Sequence, residues 1–126
     1  MPVSALSWPV ELSPQPAVAR RELARILDDT DWKGDADGAI LAVHEAMVNA
    51  QRHGGGVTRA TVGFQGTSLV VQICDRGRGF DVPKRPEQAD SAAERGRGLF
   101  LIRELTSDAH VERDGREVEL VLTFGP

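Results

Sequence analysis

Cysteine is nearly missing from this chain: Cys74 is the only one in 126 residues. A single thiol closes no internal disulfide and builds no cysteine-based zinc cluster. Its place at the end of the apolar run from Leu69 reads as that of a plain core thiol. Long apolar runs are missing too. No stretch of about 18 apolar residues occurs, so no membrane-spanning helix is expected. The start, Met1-Pro2-Val3-Ser4, lacks the basic-then-apolar pattern of a secretory signal, and a cytoplasmic location is the expectation. There is no long basic run, and the formal net charge is −4, which argues against a direct nucleic-acid surface.

Several nucleotide and hydrolase signatures are also absent. No Gly-(x)4-Gly-Lys-Ser/Thr is present, which excludes a P-loop. Gly96 and Gly98 are followed by Leu99-Phe100-Leu101, so no Gly-x-Gly-x-x-Gly forms. Neither the His-Arg-Asp nor the Asp-Phe-Gly of protein kinases appears, and no Gly-x-Ser-x-Gly elbow. What remains is ordinary globular composition, 40% hydrophobic and 27% charged, enough for one domain over residues 1–126.

The order of elements follows from periodicity and breakers. Leu6, Trp8, Val10 and Leu12 alternate with polar residues and Pro9, which predicts an edge or irregular strand. Ser13-Pro14-Gln15-Pro16 predicts a helix start with Ser13 as cap and Pro in the first turn. Ala19, Leu23, Ile26 and Leu27 give that helix an apolar face, with Arg20, Arg21 and Arg25 outside. After a polar connection from Asp28 to Gly38, a second helix is expected over about 39–52, stopped by Gly54-Gly55-Gly56. Ala60, Val62 and Phe64, then Leu69, Val71 and Ile73, mark two strands joined at Gly66-Thr67. The charged, proline-containing stretch about 81–95 reads as a lid loop. Leu99, Ile102 and Leu105 pattern a short helix, and two last strands flank Asp114-Gly115, a hairpin signal. The β-α-α-β-β-loop-α-β-β order predicts an α+β, two-layer sandwich: helices on one face of a mixed, mostly antiparallel sheet.

Three motifs carry chemistry. On the second helix, Glu45, Asn49 and His53 stand at i, i+4 and i+8, one polar stripe, with Ile40, Val43, Met47 and Ala50 about opposite on the face expected to meet the sheet. Such a stripe also suits a simply solvated face. Its chemistry points further: an amide oxygen is a hard neutral ligand for Mg²⁺ already neutralised by phosphates. A carboxylate one turn away can orient or deprotonate a hydroxyl. His53 reads as a structural hydrogen-bonder at the helix end. Arg52 either reaches a phosphate oxygen or favours the helix C-terminus.

Second, Asp75 closes a strand and precedes Gly77, Gly79 and Phe80. An ionised carboxylate only accepts, so it suits the exocyclic amino group of adenine, where guanine presents an oxygen. Taken alone, the same residues make an ordinary Asp-x-Gly turn. Third, Gly96-Arg97-Gly98 sits just before the helical run from Leu99. Free N–H groups at a helix start favour an anion. Arg95 and Arg97 add charge for phosphate, although one of them fits a solvated loop equally well.

In this order the motifs resemble those of the GHKL ATPase superfamily, with its Bergerat, histidine-kinase-like ATPase fold. Glu45 to Gly54 resembles its N box, Asp75 to Gly79 its first glycine box, and Gly96 to Leu99 its second. Within the superfamily the chain is most similar to the small bacterial anti-sigma factor serine kinases. The resemblance implies that Asn49 coordinates Mg²⁺, Glu45 acts as catalytic base and Asp75 binds the adenine amino group, with Gly77, Gly79 and Phe80 beside the ring. It implies that Gly96, Gly98 and Leu99 hold the phosphates of ATP, with Arg95 near the γ-phosphate and Arg52 and Arg97 in support. The partners it implies are a sigma factor and an antagonist protein phosphorylated on serine, met by Arg20 and Arg21 of the first helix, and a homodimer. The alternative expectation is a non-catalytic module in which ATP sets partner affinity.

Overall fold

The computed structural model describes residues 9–77, 100–115 and 117–126. Strand β1 (Val10–Leu12) leads into helix α1 (Pro16–Asp28) and helix α2 (Ala36–His53). The hairpin β2 (Val57–Gln65) and β3 (Ser68–Asp75) follows. Residues 100–105 are helical, and the chain closes with β4 (Asp108–Asp114) and β5 (Glu117–Phe124). The five strands form one sheet in the order β1-β2-β3-β5-β4, with β3 at its centre. Every pairing described is antiparallel, because each joins either a hairpin or a return across the helical layer. This is the α+β sandwich expected. Leu6, Trp8, the stretch about 81–95, and Gly79, Phe80, Arg95, Gly96, Arg97, Gly98 and Leu99 lie outside the described residues.

Alternation on the strands builds one buried face. Three rungs cross the sheet in register: Ala60–Ile73–Leu120, Val62–Val71–Leu122 and Phe64–Leu69–Phe124. All nine are buried, and full burial of each large apolar side chain stabilises by about 1.5–3 kcal/mol. Above them lie Ala39, Ala42, Ala46 and Ala50 of α2, together with Val43 and Met47. Small side chains at i, i+3, i+7 and i+11 let this helix lie close to the sheet. Leu23 and Leu27 of α1 and Ile102 complete the core.

Two helix starts differ from the sequence expectation. Helix α1 is N-capped at Gln15 rather than Ser13, because Pro16 occupies the first turn and fixes where it begins. Ser13 instead accepts from the Gln15 N–H through its hydroxyl, at 3.1 Å. Helix α2 starts at Ala36, ahead of the expected residue 39, because the Asp35 carboxylate caps it by accepting from Gly38 N–H at 3.0 Å. Gly38 is therefore first-turn helix, not linker. Trp32, in the connection, donates from its indole to the Thr67 carbonyl at 3.1 Å and so ties this loop to the β2–β3 turn.

The opposite sheet face is polar. Thr61 donates to Gln72 across the β2–β3 ladder at 3.1 Å. On edge strand β4, the His110 ring lies between Asp108 and Glu112, at 2.9 and 3.1 Å. Cys74 also faces this side, buried and unbridged, with Sγ 3.7 Å from Glu119 Oε2. Burial first, then the negative charges of Glu119 and Glu117, push its thiol up to about 12. At pH 8 the reactive thiolate is then roughly one part in ten thousand. Iodoacetamide at that pH is expected to leave the native protein unmodified and to label it stoichiometrically in denaturant. Rapid native labelling, read by intact mass, would contradict this placement.

Candidate nucleotide site

The site is assembled where the end of α2 meets the end of β3. Glycine makes this junction possible. Helix α2 is C-capped by Gly54, whose N–H donates to Ala50 O at 2.9 Å, and Gly56 N–H reaches the same carbonyl at 3.1 Å. Between them Gly55 holds φ +84, a left-handed turn that a side chain would strain. The chain thus leaves the helix sharply and returns along β2. In doing so it presents the Gly54 carbonyl to Arg76, whose N–H donates to it at 3.2 Å.

Asp75 is the last residue of the central strand and only 4% exposed. Its Oδ1 accepts from Gly77 N–H at 2.9 Å, so the Asp-x-Gly turn foreseen from sequence is formed. Gly77 takes φ +102 to make it. The carboxylate also lies against Gly54 so closely that a Cβ there would come within 2.5 Å of Oδ2. A buried, acceptor-only group held from below by a turn and from the side by a glycine is rigidly aimed.

Along α2 the polar stripe is only partly open to solvent. Asn49 is 5% exposed, inside the packed arc rather than opposite it. Glu45, one turn earlier, is half-buried, and His53, the last helical residue, likewise. The reason is the run of alanines: with the helix drawn close to the sheet, the buried arc widens until its margin covers Asn49. A simply solvated stripe is thereby excluded for this residue. Its Nδ2 is buried with no hydrogen-bond partner among the described residues. An unsatisfied buried amide costs about 1–3 kcal/mol, and the assignment of its nitrogen and oxygen is interchangeable by a flip. Such a carboxamide is held ready for a polar ligand.

Arg52 is exposed in the last turn of the same helix. Arg20 and Arg21 are exposed on α1, where no contact with Asn49 or Asp75 is recorded. Two of the three sequence motifs are thus joined; the third falls outside the described residues. His44, which no spacing singled out, also has a buried, unpartnered ring nitrogen, Nδ1. It lies about 140° around α2 from Asn49 and so belongs to a different side of the helix.

The described residues bear on how a divalent cation fits this site. Among the described residues no group of three or more His, Cys, Asp or Glu side chains could hold a metal ion. The described residues build no cage of their own, so a hard cation held by them would depend on ligand oxygens such as phosphates, with Asn49 adding one neutral donor. The unpartnered amide is compatible with that role.

Comparison with known proteins agrees with the geometry. A family model described as histidine kinase-like ATPase domain matches residues 9–124. No curated protein sequence matches. Among solved structures, the RsbU and RsbW domains of Rv1364c from Mycobacterium tuberculosis superpose with a TM-score of 0.63 at 18% identity. The match covers 94% of this chain and 32% of that one, so the chain spans about a third of its structural relative.

Proposed function

Because this chain belongs to the histidine kinase-like ATPase family, we propose that it binds Mg-ATP at the α2–β3 junction and transfers the γ-phosphoryl group to a serine of an anti-sigma antagonist. The observation that carries this reading is the junction itself: a buried carboxylate and a buried, unpartnered carboxamide on two elements joined by the Arg76–Gly54 hydrogen bond. Its likeness to the RsbW domain supports an anti-sigma-type regulator. Asp75 would take the adenine amino proton. Asn49 would supply a protein ligand to Mg²⁺, which when bound would neutralise phosphate charge. Gly96, Gly98 and Leu99 would hold phosphate oxygens, assisted by Arg52, Arg95 and Arg97, with Gly79 and Phe80 along the ring.

In the transfer, the serine Oγ forms the new P–O bond as the bond from the γ-phosphorus to the β–γ bridging oxygen breaks. The serine proton passes to the Glu45 carboxylate, leaving phosphoserine and ADP. Glu45 lies one turn, about 6 Å along the axis, from Asn49, a spacing that would keep base and phosphate in one neighbourhood. Arg20 and Arg21, exposed on α1, would meet the sigma factor or the antagonist.

Glu45→Gln is expected to lower single-turnover transfer from labelled ATP to a purified antagonist by about 10²- to 10⁴-fold, with ATP affinity unchanged. If transfer persists in the variant, the base is elsewhere. If the wild-type chain binds ATP and never transfers it, the domain is a nucleotide-dependent binding module.

A further inference from the structure

A second surface lies at the other end of α2. Between the last turns of α1 and the first turns of α2 runs an open groove of about 710 Å³. Four of its eight lining residues are apolar: Ala24 and Leu27 from α1, Ala36 and Ile40 from α2. Leu41, one of only two large hydrophobic side chains exposed among the described residues, stands one helical turn from Asp37 at 39% exposure. Asp28 and Asp37 stand on the two rims, both exposed and neither ion-paired among the described residues. Arg25 is the one cation lining the groove.

One of the two rim carboxylates is placed against helix stability. Asp28 is the final residue of α1, where carbonyl groups already concentrate partial negative charge. An acidic side chain at that end repels the helix dipole, whereas a basic one would relieve it. Asp37 sits in the first turn of α2, where the helix dipole favours it, so two carboxylates face the groove with Arg25, in the last turn of α1, as the counter-charge. An apolar trough between two helices accepts a third helix by its anchors at i, i+3 and i+4. Rims of this sign complement cationic flanks and oppose anionic ones.

We infer that the α1–α2 groove docks a basic amphipathic helix of a partner protein, apolar residues inward and lysine or arginine over Asp28 and Asp37. The surface is separate from the nucleotide site, since Asp37 and Asn49 are about 18 Å apart along α2. The inference therefore stands or falls independently of the kinase reading.

The test titrates the isotope-labelled chain, without nucleotide, with a designed helical peptide bearing a leucine stripe and lysine flanks. A counterpart with glutamate flanks serves as control. The lysine peptide is expected to move amide resonances between residues 24 and 41 and to bind about tenfold more weakly to Asp28→Asn/Asp37→Asn. Leu41→Ser, at an exposed position that folding does not need, is expected to weaken it too, and ATP affinity is unchanged in both variants. Equal binding of the glutamate peptide, shifts centred outside residues 24–41, or indifference to both variants would overturn the inference. Self-association that vanishes in the double Asn variant would overturn it as well, by assigning the groove to a second copy of the chain.

Discussion

Asp75→Asn is expected to reduce ATP affinity by at least about a hundredfold while leaving the fold in place. The substitution keeps an oxygen able to accept from Gly77 N–H, so the turn at the end of β3 survives. What changes is the other half of the group. A carboxylate offers only lone pairs, whereas an amide presents an N–H₂ toward the adenine amino group, donor against donor. Losing a charge-assisted hydrogen bond costs about 1.5–3 kcal/mol, and leaving a buried donor unpaired adds about 1–3 kcal/mol more. Together these amount to two or more decades in affinity. Calorimetric titration with ATP, ADP and GTP decides the matter, run beside a thermal melt. Undiminished affinity in a folded variant would remove Asp75 from the base pocket and with it the specificity for adenine.

Gly54→Ala should be damaging in a different way. Gly54 has φ −100, a conformation open to any residue, so no backbone strain opposes the change. The obstacle is space. The new methyl carbon would stand 2.5 Å from Asp75 Oδ2, 2.7 Å from its Cγ and 2.9 Å from Ala50 O. None of these can retreat cheaply: the carboxylate is buried and tethered to Gly77, and the third atom is helical backbone. Overpacking of this kind costs about 1–3 kcal/mol, which corresponds to a melting temperature lower by about 3–12 °C at this chain length. ATP affinity should fall as well, since Asp75 is displaced. Combining the change with Asp75→Ala is expected to restore part of the stability, because the clash and the carboxylate disappear together. A simple sum of the two single effects would mean that the residues do not press on one another.

Much of this fold was legible because local rules and tertiary packing agree. Gly66-Thr67 between two alternating strands, and Asp114-Gly115 between two more, name their hairpins without help from the rest of the chain. Helix α1 is legible from Ala19, Leu23 and Leu27, all of which are buried. The errors lie where one signal competes with another. Gly38 looked like a breaker, yet the Asp35 side chain satisfies its N–H and carries the helix through. Asn49 looked solvent-facing because periodicity gives an angle around the helix and says nothing of how near the sheet approaches. Four alanines decide that distance. The Gly54–Asp75 contact left no local trace, since it joins two segments that only the completed sheet brings together. Glu45, Asn49 and Asp75 were named from spacing and residue chemistry, whereas the packing of Gly54 against Asp75 became visible only in three dimensions.

The two outer strands have a further consequence. On one rim the described part of β1, Val10 to Leu12, is short and pairs with Ala60 to Val62 of β2. On the other, Asp108, His110 and Glu112 crowd the approach with charged and hydrogen-bonded groups. Open rims of this kind resist accretion of foreign strands. Concentrated solutions should accordingly resist fibrillar growth by way of the β4 rim.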